Sequence, residues 1–362
     1  MNVGILIESP IVNPWSSGVS QNPYFLYKAI ENCGFKCVFL TKDYVKKNRS
    51  EYEYIHVNNA PEVKLSHILC TFCPDYHYLS SLKKLNCKII YLSYYNKFAD
   101  DNDVLVSSKK SQASVPELHF LLDEIWHNPQ HSYQNQYLAS CFYNENVYEM
   151  PYLWEPYFIQ QELKKNKKLK ENIFYKHGEE LNTICIFESN SSFTRNCTIP
   201  LHICERAFTN HEVNINTINV FNCKKIRQNK FIMNLFENFQ VYNKCNVYFN
   251  NRWTIIDALS RWRGIIINHQ LLNNLNYLLL ECLYLGFPIL HNSTELSECG
   301  YFYEDFNVDD GAIQLKIATK LHEQNFNYYN AQSRNYLNNY SCNNVNNLNK
   351  LKKLLNNDLR RA

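Results

Sequence analysis

The stretch from Gly264 to Ser293 contains two short apolar runs with a longer apolar segment between them. The runs, residues 264–268 and 287–291, are bounded by glycine and polar residues, which is typical of strands buried in a parallel sheet. Residues 275–285 fit a buried helix, and Gly286 follows where a helix end favours a left-handed residue. The stretch therefore predicts a strand–helix–strand unit. Its polar loop follows the first strand, where ligands bind in doubly wound sheets.

The same alternation recurs in two blocks divided near Trp154, and a chain of 362 residues is long enough for two domains. The predicted strands of the first block are 3–7, 36–40, 54–57, 68–72, 88–93, 124–127 and 146–150. Those of the second block are 183–187, 215–221, 246–249, 264–268 and 287–291. Helical segments separate them, and after Tyr301 we predict helix to the end. The pattern predicts an α/β protein whose parallel sheets are covered on both faces.

Bulk properties narrow the class of protein. The formal net charge of +3 gives no argument for nucleic acid, and no apolar run is long enough to span a bilayer. Fourteen cysteines lie scattered without a framework and no secretory signal is apparent, so we expect reduced thiols and a cytoplasmic protein. Cys70 and Cys73 have redox or zinc spacing, but no second pair accompanies them. The lysine-rich segment 160–176 fits a solvated helix between domains, and a phosphate or membrane-surface contact stays open.

Six short motifs resemble a family of uncharacterised bacterial and viral proteins related to two-domain (GT-B) glycosyltransferases. They are Gly18–Asn22, Met150–Pro156, Ile186–Glu188, Asn276–Tyr277, Gly286–Ser293 and Cys299–Tyr301. The resemblance implies two Rossmann-like domains facing each other across a cleft. It implies an acceptor domain at 1–157, a crossover at 158–182, a nucleotide-sugar domain at 183–325 and terminal helices at 326–362 that pack back on the first domain. A viral source would place the protein in the host cytoplasm.

The resemblance implies that two arginines bind the nucleotide-sugar donor. An enzyme that uses a nucleotide sugar must neutralise a diphosphate leaving group, for which fixed positive charge is suited. Arg195 lies in the loop after the first strand of the second block, where related enzymes hold the diphosphate. Arg252 follows the strand at 246–249, in a loop similar to one beside the nucleotide. Each arginine alone also fits an ordinary surface position.

Glu281 is the one acid in the apolar helix at 275–285. A carboxylate can accept both hydroxyl protons of a ribose, and the resemblance gives Glu281 this role. The alternative is a buried acid paired with a cation such as His291 or Arg252. Retaining relatives often carry a second Glu eight positions earlier, where this chain has Asn273. An amide can hold a sugar hydroxyl but bears no charge, so Asn273 is a catalytic candidate that leaves the stereochemistry open.

Further candidates complete the predicted site. On the donor side they are Glu188, His269, Asn274 and Asn276, the last as a helix cap or a phosphate contact. In the first domain, Gly18 opens a helix towards the cleft and Trp15 is a candidate platform for a sugar ring. His127 ends a strand and is the candidate base. For Trp15 and His127, the alternative is a purely structural role.

We therefore expect transfer of a sugar from a nucleotide-diphosphate donor to a glycan or another hydroxyl acceptor. No cofactor is expected, and no Asp-x-Asp motif indicates a metal. The partners would be the nucleotide sugar and the acceptor, without nucleic acid and without a transmembrane segment. Two alternatives remain: a catalytically inactive GT-B relative that binds a glycan or a protein, and an epimerase or phosphorylase of the same fold.

Overall fold

The computed structural model describes residues 1–10, 20–43, 52–107, 120–166, 173–211, 213–224 and 226–356. It divides into two compact units, one formed by Met1–Glu155 with the chain from Asn339 onward, the other by Pro156–Asn338. The first unit therefore contains both the beginning and the end of the chain. The predicted terminal segment 326–362 is divided between the two units. None of the helices in the described residues has the length and hydrophobicity of a membrane span.

The first unit contains a seven-stranded sheet in which every neighbouring pair is parallel. Its strands are β1 (Asn2–Leu6), β2 (Lys36–Thr41), β3 (Tyr54–His56), β4 (His67–Cys70), β5 (Lys88–Ser93), β6 (Glu124–His127) and β7 (Val147–Glu149). The order across the sheet is β3-β2-β1-β4-β5-β6-β7. The direction of the connections reverses between β1 and β4, which is the ligand-binding position of such sheets.

Helices of the first unit are α1 (Asn22–Asn32), α2 (Tyr76–Lys83), α3 (Lys97–Ser107) and α4 (Asn135–Phe142). The returning C-terminal helix, which we number α12 (Val345–Leu355), packs on α1. The Asn32 side chain donates to the Cys342 carbonyl oxygen at 3.0 Å, and Leu351 and Leu354 are buried. Burial of these leucines contributes to the attachment of the C-terminal segment.

The second unit contains a six-stranded parallel sheet. Its strands are β8 (Thr183–Ile186), β9 (Thr217–Val220), β10 (Asn246–Phe249), β11 (Ile265–Asn268), β12 (Ile289–His291) and β13 (Tyr301–Phe302). The order is β10-β9-β8-β11-β12-β13, so the reversal lies between β8 and β11. Strand β13 differs from the sequence prediction of helix throughout this region; it is too short to give a period-two pattern.

Helices of the second unit are α5 (Tyr157–Lys165), α6 (Thr198–Asn210), α7 (Lys230–Glu237), α8 (Gln240–Lys244), α9 (Ile255–Trp262), α10 (Tyr277–Leu285) and α11 (Val308–Leu337). The predicted unit around α10 is present, and Gly286 ends α10 with φ of 79°. Helix α11 packs on α6 and α10, and its Tyr329 hydroxyl donates to the Phe287 carbonyl oxygen at 2.7 Å. Within the lysine-rich segment, the helix ends at Lys165, earlier than predicted.

Candidate functional site

Glu188 is the centre of a polar cluster at the carboxyl ends of β8 and β11. Its side chain is only 2% exposed. Oxygen Oε1 accepts hydrogen bonds from Asn268 Nδ2 at 2.5 Å and from the His269 backbone N–H at 3.0 Å. Oxygen Oε2 accepts one from Gln270 Nε2 at 2.9 Å. The last residue of β11 and the two residues after it are therefore bound to one carboxyl group that follows β8, at the point where the strand order reverses.

Burial has the largest effect on the pKa of this carboxyl group. It raises the pKa of Glu188 to about 8, although the His269 N–H, the charge of Arg195 and the two amide groups all act to lower it. The exposed Arg195 lies in the turn after β8, where Ser192 and Arg195 form an isolated bridge. Among the described residues, its guanidinium makes no salt bridge and no hydrogen bond. Arg195 therefore offers a positive charge close to Glu188.

The loop from β11 to α10 is fixed by amide side chains. Gln270 N–H donates to Asn292 Oδ1 at 2.9 Å, and Asn292 Nδ2 donates back to the Gln270 carbonyl oxygen at 2.8 Å. Asn273 Nδ2 donates to Gln270 Oε1 at 3.1 Å. Asn274 Nδ2 donates to Thr294 Oγ1 at 2.9 Å. The predicted residues Asn273 and Asn274 thus lie in one loop that is bound to Glu188 and to the end of β12.

Asn276 is the N-cap of α10. Its Oδ1 accepts from the Leu279 N–H at 3.1 Å, and its Nδ2 donates to Asn268 Oδ1 at 3.4 Å. Asn268 in turn binds Glu188, so the cap belongs to the same hydrogen-bond network. Both ends of the Asn276 side chain are therefore engaged within the protein, as expected for the capping alternative.

His269 is a buried neutral imidazole beside this network. Burial lowers its pKa to about 4, and the charge of Asp305 opposes this only in part. The Tyr303 hydroxyl donates to the Asn268 carbonyl oxygen at 3.3 Å, so its oxygen accepts from His269 Nδ1 at 3.1 Å. Nitrogen Nε2 then carries the lone pair, and no hydrogen-bond partner for it is present in the described residues.

A cavity of about 310 Å³ opens at the same edge of the second sheet. It is lined by Ser189, Asn190, Ser191, Asn222, Lys224, Asn251 and Arg252. These residues follow β8, β9 and β10, and none of them is acidic. The cavity therefore combines two cationic side chains with neutral hydrogen-bonding groups, a set that suits an anionic polar ligand.

Asn190 joins this cavity to the turn that carries Arg195. It has a left-handed φ of 51°, which asparagine tolerates better than most residues. Its Nδ2 donates to the carbonyl oxygens of Glu188 at 3.0 Å and Phe221 at 2.9 Å. Its Oδ1 accepts from the Cys197 N–H at 2.8 Å, and its own N–H donates to the Arg195 carbonyl oxygen at 3.1 Å. One side chain thus sets the backbone between Glu188 and α6.

Glu281 lies inside α10 and is 6% exposed. The predicted alternative of a pair with His291 does not fit the geometry. His291 Nδ1 accepts from the Ser293 N–H at 3.2 Å, and its Nε2 donates to the Cys299 carbonyl oxygen at 2.8 Å. Both ring nitrogens are therefore engaged elsewhere, and burial lowers the pKa of His291 to about 4. The role of Glu281 at a ribose stays a prediction.

His127 lies in the first unit, at the end of β6, and is fully buried. Its Nδ1 donates to the Asn128 carbonyl oxygen at 2.8 Å, which leaves the lone pair on Nε2. Nε2 has no partner among the described residues, and burial lowers the pKa of the ring. A neutral imidazole with a lone pair that is not engaged has the form that a general base needs. The other candidates of this unit, Gly18 and Trp15, lie outside the described residues.

Several residues of the cluster were not predicted. They are Asn190, Asn222, Lys224, Asn268, Gln270, Asn292 and Tyr303. Most follow strand ends, and this position was the one available signal. In the described residues, no group of three or more His, Cys, Asp or Glu side chains is arranged to hold a metal ion.

The structure is similar to solved glycosyltransferases. An alpha-glucosyltransferase in complex with UDP and a 13-mer DNA matches with a TM-score of 0.62 and 10% identity, over 98% of this chain and 99% of that one. Anabaena HepE in complex with UDP-glucose matches with a TM-score of 0.55 and 9% identity, over the full length of both chains. A trehalose 6-phosphate synthase from Burkholderia multivorans matches with a TM-score of 0.58 and 11% identity, over 99% of each.

These structural similarities confirm the predicted two-domain GT-B fold. Because the sequence identities are near 10%, the similarities support the fold alone. No functionally curated protein matches this sequence. A family profile does match, over residues 2–355, which is nearly the whole chain. The chain therefore belongs to the DUF2827 family, described as proteins of unknown function.

Proposed function

We propose that this protein transfers a sugar from a nucleotide-diphosphate donor to a hydroxyl group of an acceptor, without a metal ion. The cavity beside Glu188 carries the proposal. It lies at the carboxyl edge of the second sheet, takes two cations from Lys224 and Arg252, and contains no acid. Solved proteins of the same fold are glycosyltransferases in complex with UDP or UDP-glucose, which supports a nucleotide sugar as the donor.

In this proposal, positive charge holds the leaving diphosphate. Arg195 already acts on the buried Glu188 carboxyl group through its charge and is exposed to a ligand. Arg252 and Lys224 line the adjoining cavity and supply the remaining charge. Fixed cations stabilise the diphosphate most where its charge develops, as the glycosidic bond breaks, and they take the place that a metal ion holds in other transferases.

The loop after β11 would position the sugar. Asn273 and Asn274 are its candidate contacts, and their amide groups can donate to hydroxyl oxygens or accept from hydroxyl protons. Glu281 would accept from the ribose hydroxyls, and His269 would stay neutral beside the loop because its pKa is lowered to about 4. In the first unit, His127 would accept the proton of the attacking acceptor hydroxyl at Nε2.

A second candidate function is binding without catalysis. It is favoured by Asn273, whose uncharged amide stands where retaining relatives carry a carboxylate, and whose Nδ2 is already bound to Gln270 Oε1. A protein of this type would hold a glycan or a nucleotide without breaking a glycosidic bond.

The test is a panel of nucleoside diphosphates and nucleotide sugars. A ligand that binds only the folded protein raises its melting temperature, so the panel identifies the donor class. Each stabilising nucleotide sugar is then incubated with the protein, and the released nucleoside diphosphate is measured. Binding with release supports the transferase. Binding without release, in the presence of sugar acceptors, supports the non-catalytic candidate, and no binding across the panel contradicts the transferase.

A further inference from the structure

A second cavity, of about 490 Å³, lies in the first unit. It is bounded by the end of β2, by the 3-10 segment Val57–Val63 that follows β3, and by helix α2. We propose that this cavity binds a small amphipathic anion, a phosphate or carboxylate group carried on a hydrocarbon body. The proposal concerns a site separate from the donor cavity and does not depend on glycosyl transfer.

The floor of the cavity is apolar and firmly held. Val57, Tyr78, Leu82 and Leu85 line it, and all four belong to or pack against the core cluster of the first unit. Tyr78, Leu82 and Leu85 recur at helical spacing on one face of α2 and its C-terminal extension, so they form a continuous stripe. A hydrocarbon body laid along this stripe would remove apolar surface from water on both partners.

The polar wall of the cavity carries positive charge and no acid. It is formed by Lys42, His56, Asn58 and Ser81. The Lys42 ammonium lies 4.0 Å from the centroid of the Tyr78 ring, so the cation is held over the apolar floor. In the part of the chain that the structure describes, this ammonium group makes no salt bridge. Because Lys42 is exposed, its ammonium group is accessible to an anion at the mouth of the cavity.

The apolar floor and the positively charged wall together indicate which class of ligand the cavity would bind. A sugar or another neutral polyol would leave the cation without a counter-charge, and an inorganic anion would leave the apolar stripe in contact with water. An anionic head beside Lys42 with a chain along α2 satisfies both parts. The volume falls within the range of small-molecule sites, roughly 300–1,000 Å³.

Octyl phosphate is the probe, titrated below its micellar concentration into the full chain and followed by calorimetry. Octanoate tests a carboxylate head, octyl glucoside has the chain without the charge, and inorganic phosphate has the charge without the chain. We expect one molecule of octyl phosphate or octanoate to bind per chain, with the stronger of the two identifying the preferred head. Both controls should bind at least about tenfold more weakly, because each makes only one of the two sets of contacts.

Two variants locate the site. Lys42→Gln should weaken octyl phosphate binding about tenfold and leave octyl glucoside unchanged, since only the charge-assisted contact is lost. Ser81→Phe should abolish binding by filling the cavity, because Ser81 is exposed and its hydroxyl bonds only within its own helix. Lys84→Gln and His77→Phe, exposed residues of the same region that do not line the cavity, are the matched controls.

Equal binding of the charged and uncharged probes would overturn the proposal, as would unchanged affinity in folded Lys42→Gln and Ser81→Phe proteins. Competition by UDP would also overturn it, because the probe would then occupy the donor cavity. Failure of the donor proposal alone, with no nucleotide bound, leaves these expected results as they are.

Discussion

Gln270 and Asn292 hold each other's chain segments together by two reciprocal hydrogen bonds. The Gln270 N–H donates to Asn292 Oδ1 at 2.9 Å, and Asn292 Nδ2 donates to the Gln270 carbonyl oxygen at 2.8 Å. Both residues follow adjacent parallel strands, β11 and β12, just past their last paired residues. The Asn292 side chain thus continues the sheet's pairing beyond the strands and fixes the loop that carries Asn273.

Asn292→Ala should destabilise the protein by about 2–4 kcal/mol, because it removes both bonds and leaves a buried N–H and a buried carbonyl without partners. Urea unfolding at pH 7 measures the change. Asn246→Ala is the matched control: this asparagine is exposed at the start of β10, and its loss should cost less than about 0.5 kcal/mol. Equal losses in the two variants would mean that the reciprocal pair contributes nothing.

The raised pKa of Glu188 predicts a fall in stability with rising pH. Between its usual value of 4.5 and about 8, the folded protein keeps a proton that the unfolded chain has lost. Stability is therefore lost as the pH rises, by up to about 1.4 kcal/mol per pH unit. Up to about pH 7.5 the buried histidines act in the opposite direction, because the unfolded chain still binds protons at them near their usual pKa of 6.5, whereas the pKa of His269 and of His291 is lowered in the folded protein.

Comparison with Glu188→Gln isolates the contribution of Glu188, because the histidines act equally in both proteins. Between pH 6.5 and pH 8 the free energy of unfolding of the natural protein should fall by about 2 kcal/mol relative to that of the variant, in which the group cannot ionise. Urea unfolding of both proteins across this window measures the difference. An identical pH dependence of the two proteins would show that Glu188 ionises in the folded state as it does in water.

The fold could be predicted because its buried strands and helices leave recognisable patterns of apolar residues in the sequence. Short apolar runs such as β5 and β6 were located to the residue, since strands buried on both faces read as uninterrupted apolar runs between polar loops. The helix cap at Gly286 was likewise predicted, because a left-handed C-cap favours glycine. Strand β13 was missed, because two residues in a parallel edge strand carry no such pattern.

The site could be predicted only in part. Its position follows from topology, since the ends of β8 and β11 meet where the strand order reverses. The partners of Glu188 do not follow in the same way. Asn268 and Gln270 lie in a sequence rich in Asn and Gln. The sequence does not distinguish an amide side chain that binds a buried carboxyl group from one that faces water. Which amides turn inwards is decided by packing that only the folded chain provides.

Gly300 should resist substitution because of its contact with His291. It has a φ of +68°, and a Cβ atom there would lie 2.8 Å from His291 Nε2 and 2.9 Å from the Ile289 carbonyl oxygen. Gly178→Ala is the control, with a φ of +82° and nothing within 4 Å. Gly178→Ala should lower the free energy of unfolding by only about 1 kcal/mol, the cost of placing a residue other than glycine at a positive φ. Gly300→Ala should lower the melting temperature clearly more, and equal shifts would contradict a steric contact.

His127 should control the rate of transfer without affecting the donor. Burial lowers its pKa below the usual 6.5, so the acid limb of kcat/KM should lie below that value, with full activity at neutral pH. His127→Asn should reduce kcat/KM by about a hundredfold or more while nucleotide affinity is retained. His131→Asn, which also removes a buried imidazole from this loop, is the control and should keep its activity. An unchanged pH profile in His127→Asn would remove this residue from the chemistry.

Arg195 and Glu281 should affect nucleotide binding in different ways. Loss of a charge-assisted contact is expected to weaken binding roughly ten- to a hundredfold, which calorimetry resolves. Arg195→Ala should weaken a nucleoside diphosphate far more than the free nucleoside, which has no phosphate. Glu281→Ala should weaken both, since both carry the ribose, and Glu281→Gln should recover part of the loss because it keeps one acceptor.

The controls for this pair follow from their surroundings. Arg206→Ala removes an exposed arginine that pairs with Asp309, away from the proposed site, and should leave nucleotide affinity unchanged. Glu281 is buried, so its truncation also destabilises the fold, and urea unfolding must show that each variant is folded at the temperature of the titration. A folded Glu281→Ala protein with natural affinity for nucleoside and diphosphate would exclude Glu281 from the ribose. The proposal would then depend on Arg195 and the cavity beside it.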